Sequence, residues 1–244
     1  MKCFRTAINT LLWGSGAILW LGLSTLCASP VLYFWPGKDG ERVRKFVYVQ
    51  SKGILFFIRL CAKKLIVEKA NSPLGPCVIT ANHQSALDLY TVAALGFDNV
   101  LYITKGWVFK LPFFRFVMNG AGYIDAEKTP PQIMLEQCRK AAQNGCAIML
   151  FPQGSRKNPQ ARFKSGAFFL AEQLNLPVVP MAISGTGKML PVGSMWLRAS
   201  HIVLKQFAPI LPGSYDGELA HLKMAQDVKK KIMDFVNEEE ARGI

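Results

Sequence analysis

His83 and Asp88 stand five residues apart in the run Asn82-His83-Gln84-Ser85-Ala86-Leu87-Asp88. A neutral imidazole takes a proton from an alcohol near neutral pH, and a carboxylate on its other nitrogen fixes the tautomer and stabilises the cation that forms. Two residues five apart in one regular helix point about 140° away from each other, so the pair can meet only if His83 precedes a helix and Asp88 lies in its first turn. Ser85 is a natural N-cap and would make Asp88 the third helical residue. The same Ser-x-x-Asp spacing is also a capping box, which needs no chemistry. The motif alone leaves both readings open.

The elements around the motif favour chemistry. Short apolar runs at 77–81, 100–104, 147–151, 178–183 and 202–207 read as strands, and helical segments lie between them. Thr129 and Pro130 open one helix that Gly145 follows, and residues 164–174 and 218–240 form two more. Strands alternating with helices predict an α/β fold, a mixed sheet flanked by helices. His83 falls just past the first of these strands, and strand ends are where such sheets collect functional side chains.

Around this motif the sequence resembles the glycerolipid acyltransferases, the family that includes 1-acylglycerol-3-phosphate acyltransferase. Asn82-His83 with Asp88 is similar to the family's Asn-His-x-x-x-x-Asp signature. Lys105 followed by Pro112-Phe113-Phe114 and Gly122 resembles the second block, with Glu127-Lys128 in place of its closing Asp-Arg and Arg115 where glycine is usual. Phe151-Pro152-Gln153-Gly154-Ser155-Arg156 resembles the third block, Phe-Pro-Glu-Gly-Thr-Arg, and Phe163-Lys164-Ser165-Gly166-Ala167 the segment after it. Residues 179–185 resemble the fourth. The likeness covers about residues 77–207, and four blocks in order are far more specific than one.

The resemblance implies roles. His83 deprotonates the acceptor hydroxyl and Asp88 orients it. Arg156 grips the acceptor's phosphate through its planar fork, with Lys105 as a second contact. Gln153, Gly154 and Ser155 line the substrate site, and backbone N–H groups near Gly154 are candidate oxyanion donors. Gln153 keeps the shape of the family glutamate without its charge. The implied reaction moves a fatty acyl chain from acyl-CoA or acyl carrier protein to the sn-2 hydroxyl of 1-acylglycerol-3-phosphate, giving phosphatidic acid, with no cofactor and no metal. Another lysolipid acceptor, in remodelling or aminolipid synthesis, is the nearest rival, and a noncatalytic lipid-binding relative is the rival from another class. No Gly-x-Ser-x-Gly, Walker loop, dinucleotide glycine pattern or zinc motif is present.

Composition agrees with a lipid setting. Half of the 244 residues are hydrophobic, and 29 Lys and Arg against 16 Asp and Glu give +13. Anionic lipid or a phosphorylated substrate suits that charge; nucleic acid does not explain the apolar start of the chain, so none is expected. No charge occurs between Arg5 and Lys38, and residues 7–29 are long enough to cross about 30 Å of hydrocarbon. A retained anchor is favoured over a cleaved signal because the apolar run exceeds a signal core. A leaflet-dipping hairpin that turns near residues 30–37 and a single span are both open. Basic residues on both sides, including Arg42, Arg44 and Lys45, place the flanks in the cytoplasm, and the expected location is a bacterial inner membrane. Residues 41–64 read equally as an amphipathic helix on anionic lipid or as a helix packed on the core. The domain boundary is drawn at residue 70, with anchor and basic helix in 1–70 and the acyltransferase domain in 71–244. Six scattered cysteines, none in a Cys-x-x-Cys pair, read as core residues facing a reducing cytosol.

Overall fold

The computed structural model describes residues 2–35, 37–70, 75–110 and 112–243; positions 71–74, just past the expected domain boundary, lie outside them. The strands are β1 Lys64–Glu68, β2 Val78–Ala81, β3 Val100–Thr104, β4 Ile124–Asp125, β5 Ala147–Leu150, β6 Val178–Ser184 and β7 His201–Gln206. The α-helices are α1 Lys2–Phe34, α2 Glu41–Cys61, α3 Asp88–Leu95, α4 Pro112–Gly120, α5 Pro131–Gln143, α6 Gly166–Leu174, α7 Thr186–Met189 and α8 Ala220–Ala241. Among the described residues the strands form one seven-stranded sheet in the order β1-β7-β6-β2-β5-β3-β4. Neighbours are parallel except β6 and β7, which run antiparallel.

The central strands are apolar throughout because both of their faces are covered. Ile79, Ala81, Met149, Met181 and Ile183 pack into one layer, with α2 and α3. Val78, Ile148, Val178 and Ala182 face the other, with α5, α6 and α8. The chain leaves β2 through α3 on the first face and leaves β5 through α6 on the second. The two crossovers thus diverge between adjacent parallel strands, which opens a crevice at their carboxyl ends. The ends of β2, β3, β5 and β6 all lie on that edge.

Several boundaries differ from those expected. The strand Lys64–Glu68 is not legible among its charged neighbours, yet it pairs along its whole length with β7. The helix expected over 41–64 therefore stops at Cys61. Helix α5 begins at Pro131, with Pro130 as its N-cap, and Gly145 follows it at φ 76°.

The N-terminal helix runs unbroken through Pro30, about 50 Å at 1.5 Å per residue. The chain turns after it and returns as α2, so the hairpin is α1 with α2. Asn9 Nδ2 donates to the Cys61 carbonyl at 3.1 Å, and Trp20 Nε1 to the Gln50 carbonyl at 3.1 Å. Side chains at Gly16 and Gly53 would strike the rings of Phe57 and Trp20, so these glycines let each ring lie on the opposite backbone. Ile54, Leu55 and Ile58 of α2 sit in the core. Arg44 is buried rather than turned to lipid: its Nε donates to Asn99 Oδ1 at 2.7 Å and its Nη1 to the carbonyls of Asp39 and Ala121. The outer face of α2 still carries Lys45, Val49, Lys52, Phe56, Arg59 and Leu60. The core-packing reading of α2 holds for its inner face, and its outer face keeps the mix of basic and apolar residues on which the lipid reading rests.

Candidate active site

The carboxyl end of β2 is fixed before the histidine begins. Asn82 continues the sheet with its side chain: Nδ2 donates to the Ile183 carbonyl and Oδ1 accepts the Ile183 N–H, both at 2.8 Å. The amide replaces one rung of the β2–β6 ladder and frees the backbone to turn. His83 follows immediately. Its Nδ1 lies 2.8 Å from Asp88 Oδ2.

Asp88 is fully buried, and the same Oδ2 accepts the N–H groups of Gln84 at 2.6 Å and Ser85 at 2.8 Å. Three donors converge on one oxygen, so Nδ1 must carry the ring proton and Nε2 is left as the acceptor. The bond from Ser85 N–H is the returning half of a capping box, as the spacing implied. The other half differs. The regular helix starts at Asp88, and Ser85 Oγ accepts the Leu87 N–H at 3.3 Å while donating to the Leu190 carbonyl at 2.9 Å. That bond ties the turn to the segment after α7.

The ring has a second support. Phe151, just past β5, stacks on His83 with centroids 4.1 Å apart and planes 18° apart. The His83 side chain is 16% exposed, enough for Nε2 to meet a substrate while one ring face stays covered. The loop after Phe151 folds back on itself: Gly154 at φ 68° donates its N–H to the Phe151 carbonyl, and Lys164 N–H bonds the Pro152 carbonyl. The Gly154 amide is therefore committed, and an oxyanion donor from this loop would be another of its amides. A side chain at Gly154 would meet Lys164 Nζ at 3.2 Å, so Lys164 brings a second cation beside Arg156's loop. Ser155 Oγ accepts the Lys157 N–H. Gln153 Oε1 accepts the His83 N–H.

Hydrogen bonds and the stacked ring thus join His83, Asp88, Phe151 and Gln153 directly, and Gly154, Ser155 and Arg156 continue the same loop. Arg156 forms no ion pair or side-chain hydrogen bond with any described residue. Lys105 is exposed at the end of β3, on the same edge but two strands from β2, about 10 Å away by strand spacing. Asn82, Phe151 and Lys164 are the participants that sequence reasoning did not single out. Asn82 and Phe151 lie inside quoted motifs, but nothing in a one-dimensional pattern tells a ladder rung or a stacking ring from its neighbours.

A family model described as Acyltransferase matches residues 64–184, from β1 through β6 with the whole of this edge. The chain belongs to the acyltransferase family. The chloroplast 1-acyl-sn-glycerol-3-phosphate acyltransferase BAT2 of Brassica napus is 36% identical over 133 residues, 52% of this chain and 38% of that one. The enzyme of the same name from Pseudomonas aeruginosa is 24% identical over 98% of this chain and 92% of its own length. The match thus spans under two fifths of the plant relative and nearly all of the bacterial one. The crystal structure of a 1-acyl-sn-glycerophosphate acyltransferase from Thermotoga maritima has the same fold, with TM-score 0.76, 21% identity and coverage of 99% and 98% of the two chains.

Proposed function

We propose that this acyltransferase moves a fatty acyl chain from a thioester of coenzyme A or acyl carrier protein to the sn-2 hydroxyl of 1-acylglycerol-3-phosphate. The observation that carries the reading is the His83–Asp88 pair, with its free Nε2 turned outward beside the Arg156 loop. In this mechanism Nε2 takes the hydroxyl proton as the oxygen attacks the thioester carbonyl. The carbon–oxygen bond forms, the carbon–sulfur bond breaks, and the imidazolium returns its proton to the departing thiolate. Asp88 holds the tautomer and balances the cation, and Phe151 keeps the ring plane fixed. Arg156 receives the acceptor's phosphomonoester, with Lys105 and Lys164 adding positive potential along the edge.

Membrane attachment belongs to the same reading. Outward-facing Leu11, Leu12, Ile18, Leu19, Leu23 and Leu26 make a continuous apolar stripe on α1, a helix long and apolar enough to cross a membrane. Because α1 is pinned to α2, and α2 to the core, the hairpin is read as lying within one leaflet. Basic residues around it favour the cytoplasmic side of a bacterial inner membrane. The loop after α7 adds exposed Val192, Met195 and Trp196, and its Leu197 N–H bonds Thr10 Oγ1 of α1 at 2.9 Å.

The test is acyl transfer by purified protein in vesicles, with both thioester donors and a panel of lysolipids. The expected product is phosphatidic acid, lost by about 10²–10⁴ in rate in His83→Ala. Arg156→Lys keeps the charge and loses the fork, and should raise the acceptor KM about tenfold while sparing acceptors that lack a phosphomonoester. Near-normal turnover by folded His83→Ala sinks the assignment, and equal losses for all acceptors remove phosphate recognition by Arg156.

A further inference from the structure

We propose that Gln153 is a positioning residue for acceptor recognition: its amide ties the His83 backbone to the loop carrying Arg156, and this chain needs an amide there rather than a carboxylate. The proposal rests on the reading of Arg156 as the phosphate contact. Gln153 is 5% exposed, and both ends of its side chain are engaged by the protein. Oε1 accepts the His83 N–H at 2.5 Å, and Nε2 donates to the Pro159 carbonyl at 2.5 Å.

The two partners have opposite chemistry, one a donor and one an acceptor, which fixes the amide's orientation without ambiguity. A carboxylate could keep the first bond but would set two acceptors against each other at the second. Glutamine, where the resembling family has glutamate, matches the Pro159 carbonyl.

The next carbonyl is held from the opposite side. Lys229 Nζ of α8 donates to the Gln160 carbonyl at 2.9 Å. Within the turn, Asn158 Oδ1 accepts the Gln160 N–H and the Asn158 carbonyl accepts the Ala161 N–H, both at 3.1 Å. Consecutive carbonyls are thus fixed from the buried edge and from the surface. Arg156 stands three residues before Pro159 and has no side-chain partner of its own among the described residues, so the loop backbone decides where its guanidinium lies.

The experiment uses full-length Gln153→Glu, Gln153→Met and Lys229→Met in vesicles. The loop offers trypsin Arg156, Lys157 and Arg162, and cleavage there reports loop position independently of activity. Losing one hydrogen bond should speed loop cleavage about fivefold in Gln153→Glu and Lys229→Met, and losing both should speed it further in Gln153→Met. The acceptor KM should rise about tenfold in Gln153→Glu while the thioester KM stays within about twofold. Lowering the pH toward the carboxyl's ordinary range, about 4.3, protonates the new side chain and restores a donor to Pro159. The ratio of the Gln153→Glu KM to that of the unaltered enzyme should therefore shrink as pH falls, and the Gln153→Met ratio should not. Lys229→Met leaves the buried edge intact and carries the test if the Gln153 variants fail to fold. Unchanged loop cleavage in the folded variants overturns the clamp, whatever Arg156 does. Faster cleavage with an unmoved acceptor KM overturns the specificity role. An acceptor-selective Arg156→Lys would then locate the failure in the clamp, and a non-selective one in the phosphate reading.

Discussion

Asp88→Asn separates the charge of the aspartate from its geometry. All three donors to Asp88 meet Oδ2, and Oδ1 is buried with no partner among the described residues. An asparagine whose oxygen takes the Oδ2 place keeps all three bonds. The flipped amide would point its NH₂ at the N–H groups of Gln84 and Ser85, so the backbone itself enforces the useful orientation. The histidine tautomer then survives, and only the negative charge is lost. In the proposed mechanism that charge stabilises the imidazolium formed in the transition state: two unit charges about 4 Å apart interact by about 4 kcal/mol at an effective dielectric of 20, about 10³ in rate. Folding should suffer less, by about 1–3 kcal/mol, because the new NH₂ lies buried without an acceptor. Steady-state kinetics on the purified variant should show kcat reduced about 10³-fold with both KM values nearly unchanged, and a thermal melt should show a folded protein. If Asp88 serves only to cap α3, asparagine caps as well and activity persists. A folded variant with more than about a third of the normal kcat would refute the charge argument.

Two further outcomes follow from burial. Ile18→Glu with Leu19→Glu on the outer face of α1, or Met195→Ser with Trp196→Ser on the loop beside it, should weaken vesicle co-sedimentation without lowering the melting temperature; undiminished binding by both pairs would remove these surfaces from the membrane contact. Burial pushes the thiols of Cys77 and Cys138 up to about 12 and that of Cys146 up to about 11, from 9.0. The unfolded chain releases these protons first, so stability should be full below pH 9 and fall between 9 and 12, by about 1 kcal/mol per thiol for each pH unit. Equal melting temperatures at about pH 8 and pH 10 would contradict this.

Long, strongly patterned elements were legible in the sequence. The apolar runs at β2, β5 and β6 read as buried strands, and the histidine's place beyond β2 followed from them. Lys64–Glu68 was not legible, because an edge strand buries little and its three apolar residues sit between charges. Its pairing is decided by β7, more than 130 residues away. The place of Arg44 was left open for a related reason: a basic residue on an amphipathic helix looks the same whether it meets lipid headgroups or backbone carbonyls. Its partners Asp39, Asn99 and Ala121 come from three separate turns, and no local pattern foretells them.

The site's economy lies in the six residues that leave β5. Phe151 stacks on the His83 ring, Gln153 holds the His83 backbone, Gly154 makes the turn, and Arg156, the proposed phosphate contact, follows it. These roles are not independent. The Gly154 N–H bonds the Phe151 carbonyl and the Lys164 N–H bonds the Pro152 carbonyl, so moving any one of the four displaces the rest. A substitution that shifts the loop backbone near Phe151 should therefore change kcat and acceptor KM together, whereas one confined to a contact at the outer end, as in Arg156→Lys or Lys229→Met, should act on the acceptor KM. The arrangement also accounts for His83 and Arg156, the proposed base and the proposed phosphate contact, following neighbouring parallel strands. At a separation of about 4.8 Å, one glutamine side chain spans the gap between them, and across two strands it would not reach.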